Sequence, residues 1–408
     1  MSVTGGGSLA RTDGPRLRRL AETDPAARDV VAELLRRALR GLPRMRTSED
    51  GGFVFTMRGD PARPAGTSVR YAAIVALGAA FLPEDDQRAA LGGDSVAEVV
   101  GALVARLGDT GPEEITSLGD IALICWAAAE TGHGALEPAL ARLAAADPPG
   151  ERPGERPGER PVFTVDAAWV ASALAAARDA GAASGTASGT EGHLERARDR
   201  LLAGLDGRAL FAHEVGGTGL VPRYRAHVGC FADQVYPVQA LARIGDDRSV
   251  AAADRVAGRI CAAQGAAGQW WWHYDARTGG VVEGYPVYSV HQHAMAPMAL
   301  LDLADAGGDG RLAAIARGVR WLTAPAETGA SLLPGGEPGE PVMTWRKVAR
   351  DDPRKVVRGV RAASTRLRPG LRFRSLDRRF PPVAIDRECR PYELGWLLHT
   401  WLSPTARE

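Results

Sequence analysis

The sequence predicts an all-α protein built as an (α/α)6 toroid, a closed double ring of six helical hairpins with short β-hairpin or loop insertions. The main observation is that an amphipathic helix with one polar face alternates with an almost wholly apolar helix along most of the chain. The hairpins begin roughly 50 residues apart, which indicates an internal repeat. This alternation suits a double ring because only its inner helices are covered on both sides.

The first hairpin shows the pattern clearly. Asp24 can cap an amphipathic helix whose first residue is Pro25. A turn-rich, partly strand-like stretch follows from Gly51 to Gly66. Thr67 or Ser68 can then cap the helix TSVRYAAIVALGAAFL, which is composed almost entirely of small and apolar residues. The first of these helices is therefore assigned to the outer ring and the second to the inner ring.

Five further outer and inner pairs follow the same pattern. They are 95–108 with 117–132, 134–147 with 164–181, 193–205 with 229–245, 249–264 with 285–303, and 311–324 with 389–402. We therefore expect a flexible N-terminus at 1–22 and a single toroid domain at 23–408, with loop insertions at 148–162 and 327–382.

The two insertions differ in composition. The first contains PGERPGERPGERP, a Pro- and Gly-rich repeat with alternating charges that cannot bury a core. The second contains 13 basic and three acidic residues between Arg346 and Arg379. This basic segment could bind a diphosphate or an acidic glycan, lie on an anionic membrane, or form a solvated loop.

Composition limits the classes of partner. The formal net charge is +1 with 45% hydrophobic residues, so no global basic field indicates nucleic acid binding. The four cysteines lie far apart without a CxxC motif, which fits free thiols in a reducing compartment. No secretory h-region and no run of about 18 apolar residues is present. We therefore expect a cytoplasmic protein that could contact a membrane peripherally.

Polar residues recur at one position of the inner helices. When these helices are aligned on their small residues, Asp120, Asp166, Asp233 and Gln292 fall at one equivalent position near the N-terminus. Carboxylates are favoured in the first helical turn, so capping is one explanation. The other is a polar rim at one mouth of the ring, where burial would raise the pKa of a carboxyl group and suit it to general acid catalysis.

Residues 264–298 are rich in aromatic and ionisable groups, including Trp270, Tyr285, Tyr288, His273 and His291. His291 and His293 point about 200° apart on an ideal helix, so one of them is expected to reach the cavity.

The segment before the last inner helix contains Asp386, Glu388, Arg390, Tyr392 and Glu393, either as a substrate clamp and acid/base group or as a capping cluster. The catalytic candidates are Asp166, Asp233, Asp275, His273, His291 and Tyr288, and the substrate-binding candidates are Trp169, Tyr236, Trp270, Tyr285, Gln292, Arg390 and Tyr392.

A metal site is considered from ligand types alone. Cys230 and Asp233 are separated by two residues at the start of one inner helix, and His291 begins the next. These are zinc-ligating residue types, although a buried Cys230 acting as a small hydrophobe explains the same pattern. The sequence leaves open whether Zn²⁺, Mg²⁺ or no metal is used.

The turn Gln264-x3-Gly268-x-Trp270 resembles the QW repeat of the terpenoid cyclase and protein prenyltransferase toroids. In that family the motif ties neighbouring hairpins together, so Gln264, Gly268 and one tryptophan are expected to join the fourth and fifth hairpins. The resemblance implies a polyisoprenoid substrate. The acid and magnesium motifs of the family are not matched.

Two enzyme functions follow. The main prediction, based on the resemblance, is a terpenoid cyclase-like enzyme whose substrate is a hydrophobic prenyl chain or its diphosphate. Protonation of this chain by Asp166, Asp233 or Asp275 would start the cyclisation. Trp169, Trp270, Tyr285 and Tyr288 would stabilise positive charge. The alternative is a carbohydrate-active toroid, a hydrolase, lyase or epimerase, in which aromatic rings stack on an acidic sugar and Tyr288, His273 or His291 transfers a proton. A toroidal binding protein without activity is a third possibility.

Overall fold

The computed structural model describes residues 14–47, 52–59, 61–111, 114–148, 160–184, 190–335 and 344–404. Within these ranges the chain forms two concentric rings of helices, and the predicted (α/α)6 toroid is confirmed. All six predicted pairs of outer and inner helices are present. None of the helices in the described ranges is long and apolar enough to cross a lipid bilayer.

The outer ring begins after a short helix, α1 (Pro15–Thr23). The predicted cap of the first outer helix is present, since the Ala27 amide donates to Asp24 Oδ1 at 3.0 Å and Pro25 takes the first helical position. The outer helices are α2 (Pro25–Gly41), α5 (Val96–Ala105), α7 (Leu136–Ala146), α9 (Glu191–Ala203), α11 (Asp247–Ala262) and α13 (Leu312–Trp321).

The inner ring consists of helices buried on nearly all sides. Ser68 caps the first of them by accepting from the Tyr71 amide at 3.3 Å. The inner helices are α3 (Val69–Ala79), α6 (Leu118–Glu130), α8 (Thr164–Ser184), α10 (Ala232–Ile244), α12 (Ala296–Asp305) and α16 (Pro391–Leu402), and a single π-helical turn (His291–Met295) leads into α12. Each inner helix contacts the next, and α16 returns to α3, which closes the ring.

Short strands precede most of the inner helices and build one rim of the ring. They form four small antiparallel sheets. The strands are β1 (Val54–Arg58), β2 (Arg63–Thr67), β3 (Val162–Phe163), β4 (Glu214–Val215), β5 (Val228–Cys230), β6 (His273–Asp275), β7 (Val281–Glu283), β8 (Val287–Tyr288), β9 (Lys347–Ala349), β10 (Ala384–Asp386) and β11 (Glu388–Cys389).

The remaining helices lie outside the two rings. They are α4 (Glu84–Ala90), α14 (Val356–Leu367) and α15 (Arg374–Arg379). The last two belong to the basic insertion expected at 327–382, which therefore has helices of its own. Most of the insertion expected at 148–162 lies outside the described residues, as does 1–13 of the N-terminal segment expected to be flexible.

The turn that resembles a QW repeat joins two hairpins, but not the expected pair. Gln264 Nε2 donates to the Ala314 carbonyl at 2.9 Å, and Arg317 donates to Gln264 Oε1 at 2.7 Å. Both partners lie on α13, so Gln264 ties the fifth hairpin to the sixth. Trp270 is fully buried, and its ring centroid lies 5.8 Å from that of Phe231, which immediately precedes α10.

Candidate active site

The N-terminal ends of the inner helices and the strands before them meet at one mouth of the ring. Side-chain contacts connect α3 with α6, α8 and α16, and α8 with α10, and the His291 ring lies 4.5 Å from that of Phe231, which precedes α10. The residues at this mouth are Arg70 and Tyr71 of α3, Asp120 of α6, Asp166 and Trp169 of α8, Asp233 and Tyr236 of α10, His291 of the π-helical turn, and Tyr392 and Glu393 of α16. The structure therefore brings three of the predicted rim positions, Asp120, Asp166 and Asp233, to one place.

Asp166 is the central carboxyl group of this mouth. Its pKa is raised to about 6, chiefly by burial; Arg70 opposes the shift, and the charges of Asp120 and Asp233 add to it. Arg70 is occupied by Asp120, with its Nε 2.6 Å from Oδ1, and its guanidinium also lies 5.0 Å from the centre of the Trp169 ring. Asp166 can therefore hold a proton near neutral pH while Asp120 stays paired with a cation.

Asp233 is part of a hydrogen-bonded network. Its Oδ2 lies 2.6 Å from His213 Nδ1 and accepts the backbone N–H of Cys230 at 2.6 Å. The other ring nitrogen of His213, Nε2, lies 2.7 Å from Arg225 Nη2. Since a guanidinium only donates, His213 accepts at Nε2 and donates its Nδ1–H to the carboxylate. The three side chains Arg225, His213 and Asp233 therefore form a line of hydrogen bonds into the mouth.

The expected metal ligands are regrouped by the structure. Cys230 and Asp233 approach His213 rather than His291, and their possible ligand atoms lie within 4.8 Å of one another. Burial raises the pKa of the Cys230 thiol well above its usual range, with the Asp233 charge as a second cause. Zinc binding displaces the thiol proton and needs a free histidine nitrogen. Because His213 Nε2 is engaged by Arg225 and Nδ1 lies 2.6 Å from Asp233, the residues fit a polar network better than a metal site.

Trp272 stacks between two of the predicted catalytic histidines. Its ring lies 5.2 Å from that of His273 at an interplanar angle of 29° and 5.7 Å from that of His291 at 9°. Burial lowers the pKa of both histidines well below the usual range, with His213 as the next cause for His273 and Arg346 for His291. Both imidazoles are therefore neutral at pH 7 and able to accept a proton. The Tyr288 ring lies 5.0 Å from His291.

Arginines and aromatic rings complete the mouth on the side of α16. Arg346 lies 4.8 Å from the centre of the Tyr288 ring, and its Nε is 3.3 Å from Glu393 Oε1. Burial raises the pKa of Glu393 to about 7, although Arg346 opposes this shift. Arg390 donates to the Tyr71 hydroxyl at 3.0 Å. The segment before α16 and the basic insertion thus each bring one arginine, Arg390 and Arg346, to this side of the mouth.

Aromatic side chains lie below the carboxyl groups in the lumen. Trp169 and Tyr236 meet edge to face with ring centroids 5.1 Å apart, and Tyr236 lies 5.9 Å from Trp396. Tyr392 contacts Tyr71 with centroids 4.7 Å apart. The candidates Trp169, Tyr236 and Tyr392 are therefore brought together around Asp166.

Other candidates lie elsewhere in the structure. Asp275 is held by its own turn, since Arg277 Nη2 lies 2.7 Å from Asp275 Oδ2. Gln292 accepts from the Trp270 amide at 3.3 Å and donates to the Tyr288 carbonyl at 3.1 Å, so it supports the backbone behind the mouth. The Tyr285 hydroxyl donates to Glu327 Oε1 at 2.7 Å.

Several residues of the mouth were not among the sequence candidates. They are Arg70, Tyr71, His213, Trp272 and Arg346. Arg70 and Tyr71 begin an inner helix, so their positions in the hairpin repeat were a usable signal. His213 and Arg346 come from loops between helices, and no periodicity locates them.

No family model matches this sequence, and no curated protein matches it. Solved structures do match its fold. A sugar epimerase from a ruminal bacterium is 12% identical with a TM-score of 0.56, covering 91% of this chain and 98% of its own. Cellobiose 2-epimerase from Bacillus thermoamylovorans is 11% identical with a TM-score of 0.59, covering 91% and 98%. An unsaturated glucuronyl hydrolase specific for heparin is 13% identical with a TM-score of 0.56, covering 91% and 96%.

These matches correct the main functional prediction. The resemblance to terpenoid cyclases and prenyltransferases was wrong, because the toroids that share this fold over nearly the whole chain are sugar epimerases and glucuronyl hydrolases. The predicted cyclisation of a polyisoprenoid, the hydrophobic or prenyl partner and the peripheral membrane contact were wrong on the same finding. At these identities, the conclusion for this chain is that it adopts the (α/α)6 toroid fold of those sugar-processing enzymes.

Proposed function

We propose that this protein is a carbohydrate-active enzyme that hydrolyses a glycosidic bond of an acidic saccharide at the mouth formed by the inner-helix N-termini. The observation that carries this proposal is the Asp166 carboxyl group, whose pKa of about 6 lets it keep a proton beside the carboxylates of Asp120 and Asp233. Two carboxyl groups with different proton occupancy are the usual requirement for glycoside hydrolysis.

In this reaction Asp166 donates its proton to the glycosidic oxygen as the bond from that oxygen to the anomeric carbon breaks. A water molecule adds its hydroxyl to the anomeric carbon and gives up its second proton to a base. Asp233 is placed for that role, because His213 and the Cys230 amide hold its carboxylate in one orientation.

The aromatic and basic sides of the mouth account for substrate binding. Trp169 and Tyr236 offer ring faces on which the apolar side of a sugar can stack. Arg346 and Arg390 lie on the side of the mouth next to α16, and their guanidinium groups suit the carboxylate of a uronic acid. An acidic saccharide would therefore lie between the rings with its carboxylate toward α16.

Epimerisation is a second candidate, favoured by a separate observation. His273 and His291 are neutral and lie on either side of Trp272. One neutral imidazole could remove a proton from a carbon next to a carbonyl, and a protonated group on the other side could return a proton to the opposite face of that carbon. Such a reaction changes no mass.

The two reactions are separated by one assay. The purified protein is incubated in D₂O with neutral and acidic oligosaccharides, including cellobiose and unsaturated glucuronyl disaccharides, and the products are analysed by mass spectrometry. Hydrolysis splits the substrate with the gain of one water, whereas epimerisation leaves its length unchanged and places deuterium on carbon. The absence of both changes across the panel would refute the enzymatic proposal.

The role of Asp166 is tested with Asp166→Asn. We expect the variant to lose about 10²–10⁴-fold in rate, the usual contribution of a general acid. Asp179→Asn is the matched control, because Asp179 lies on the same helix with its side chain 58% exposed and is paired with Arg178. Equal rates for Asp166→Asn and the control would remove Asp166 from the mechanism.

A further inference from the structure

A small pocket adjoins the mouth where the basic insertion packs against the rim. It has a volume of about 190 Å³ and lies between the β7–β8 connection, β9 and the start of α14. Its charged lining residues are Glu283, Lys347, Arg350, Asp352, Lys355 and Arg358. Four cations and two acids therefore face one cavity.

Both acids of the pocket already have partners. Glu283 Oε2 lies 2.8 Å from Arg361 Nη1, and Glu283 Oε1 accepts the Tyr285 amide at 2.8 Å. Asp352 Oδ2 accepts the Val357 amide at 2.9 Å and so caps the first turn of α14. Glu283 Oε1 also lies 3.5 Å from Arg350 Nε, so the ion pairs of Glu283 are with Arg350 and Arg361.

Two of the cations have no acidic partner. Lys347 is paired with Asp386 at 2.5 Å, and Arg350 with Asp377 at 2.8 Å. Among the residues that the structure describes, no carboxylate lies within ion-pair distance of Lys355 or Arg358. The pKa of Arg358 is lowered by burial and then by Arg225, and the pKa of Lys355 is lowered first by Arg358. Like charges therefore crowd this pocket, and the charge of Asp352, which raises both pKa values, offsets only part of the effect.

The backbone that carries Lys355 is strained. Arg354 and Lys355 adopt φ angles of 50° and 57°, in the left-handed region that residues other than glycine rarely occupy. Such strain is costly and concentrates at binding sites. In this conformation the chain turns into α14 with Lys355 and Arg358 both lining the same pocket.

The pocket and the candidate active site share the Tyr288 ring. Tyr288 lines the pocket, and the same ring lies 5.0 Å from His291 and 5.6 Å from Lys347 Nζ. A saccharide seated at the mouth could therefore reach the pocket with one substituent.

We propose that this pocket binds a tetrahedral oxyanion, a sulfate or phosphate ester carried by the saccharide. This proposal rests on the proposed function for its saccharide, and on the two unpaired cations for its anion. A carboxylate presents two oxygens, whereas a sulfate or phosphate ester presents three terminal oxygens, which the several N–H donors of Lys355 and Arg358 can meet together. The uronate carboxylate is left to Arg346 and Arg390.

The binding test uses inorganic sulfate and inorganic phosphate as probes, titrated calorimetrically at constant ionic strength, with acetate as the carboxylate comparison. We expect the wild-type protein to bind at least one tetrahedral anion more tightly than acetate, and Lys355→Gln/Arg358→Gln to weaken that binding tenfold or more. Arg368→Gln/Arg378→Gln is the matched control, since both arginines are exposed residues of the same insertion outside the pocket.

The results of this titration decide whether the pocket is an anion-binding site. The proposal is overturned if Lys355→Gln/Arg358→Gln binds the anion as tightly as the wild type, or if the control variant loses as much affinity. It is also overturned if acetate binds as tightly as the better tetrahedral anion. The relative affinities of sulfate and phosphate identify which ester it takes.

A turnover test separates this proposal from the proposed function. We expect Lys355→Gln/Arg358→Gln to raise the KM for an esterified acidic saccharide about tenfold and to leave kcat/KM for its unesterified form unchanged. If saccharides are turned over but esterification makes no difference in either protein, the subsite is refuted and the proposed function stands. If anion binding depends on Lys355 and Arg358 but no saccharide is turned over, the proposed function fails and the anion site remains.

Discussion

Asp166 owes its place in the mouth to a glycine on the neighbouring inner helix. A Cβ atom added to Gly119 would lie 2.3 Å from Asp166 Oδ1 and 3.0 Å from the Trp169 ring. The helices α6 and α8 therefore approach closely at the level of the carboxyl group. This approach removes Asp166 from water, and desolvation is the largest cause of its raised pKa.

The pH dependence of the reaction should report this environment. A general acid must be protonated, so kcat/KM is expected to fall as the pH rises through the Asp166 pKa of about 6. Arg70 lowers this pKa, and Arg70→Gln would remove its charge and leave Asp120 unpaired. The alkaline limb of the pH–rate profile should therefore move to higher pH in Arg70→Gln.

Arg70→Lys is the control for this measurement, because it keeps a positive charge beside Asp120. Its limb should stay close to that of the wild type. A limb that does not move in Arg70→Gln, or that moves to lower pH, would assign the titration to another group, for example Glu393, whose pKa is about 7.

The π-helical turn before α12 shows how one element serves both packing and site geometry. Pro297 has no N–H, so a carbonyl of the preceding turn loses its helical donor. Trp401 of α16 replaces it by donating from Nε1 to the His293 carbonyl at 2.8 Å, and Thr400 Oγ1 donates to the Ala294 carbonyl at 3.2 Å. Contacts from α16 thus fix the turn from which His291 reaches the mouth.

We predict that Trp401→Phe lowers the free energy of unfolding by more than the loss of packing explains. The buried His293 carbonyl would lose its donor, which costs about 1–3 kcal/mol. Trp270→Phe is a matched control, because Trp270 is also fully buried and its Nε1 has no hydrogen-bond partner. Urea denaturation of both variants measures the difference, and equal losses would contradict the role given to this hydrogen bond.

At the scale of the whole molecule, the hairpin repeat was predictable because the inner helices must be apolar on every side. Sequences such as 118–130 and 164–181 contain long runs of small apolar residues, and no other part of a soluble toroid requires them. The acids Asp120, Asp166 and Asp233 were located by the same repeat. Ring closure then brings them together without any local sequence signal.

The rest of the site could not be predicted from periodicity. His213 lies in a loop before β4, where its backbone N–H donates to the Val228 carbonyl of β5 at 3.1 Å, and Arg346 reaches Glu393 from an insertion. The substrate class was predicted wrongly because aromatic rings that stabilise a carbocation are also rings on which a sugar stacks. The QW-like turn therefore indicated the fold and gave no information about the chemistry.

Closure of the ring depends on two glycines where the first and last inner helices meet. A Cβ atom on Gly78 of α3 would lie 2.1 Å from the Gly395 carbonyl oxygen, and one on Gly395 of α16 would lie 2.7 Å from the Ile74 carbonyl oxygen. These obstacles are backbone atoms, so a side chain at either position forces the two helices apart. The separation would act on a contact between chain segments more than 300 residues apart in sequence.

We predict that Gly78→Ala destabilises the protein by about 1–3 kcal/mol or more, the usual cost of overpacking, despite the better helix propensity of alanine. Gly359→Ala is the control, since Gly359 lies within α14 and its added Cβ would meet no atom within 4 Å. That variant should be neutral or more stable by about 0.5–1 kcal/mol. Urea denaturation compares the two, and a Gly78→Ala protein as stable as Gly359→Ala would show that α3 and α16 do not need this close approach to close the ring.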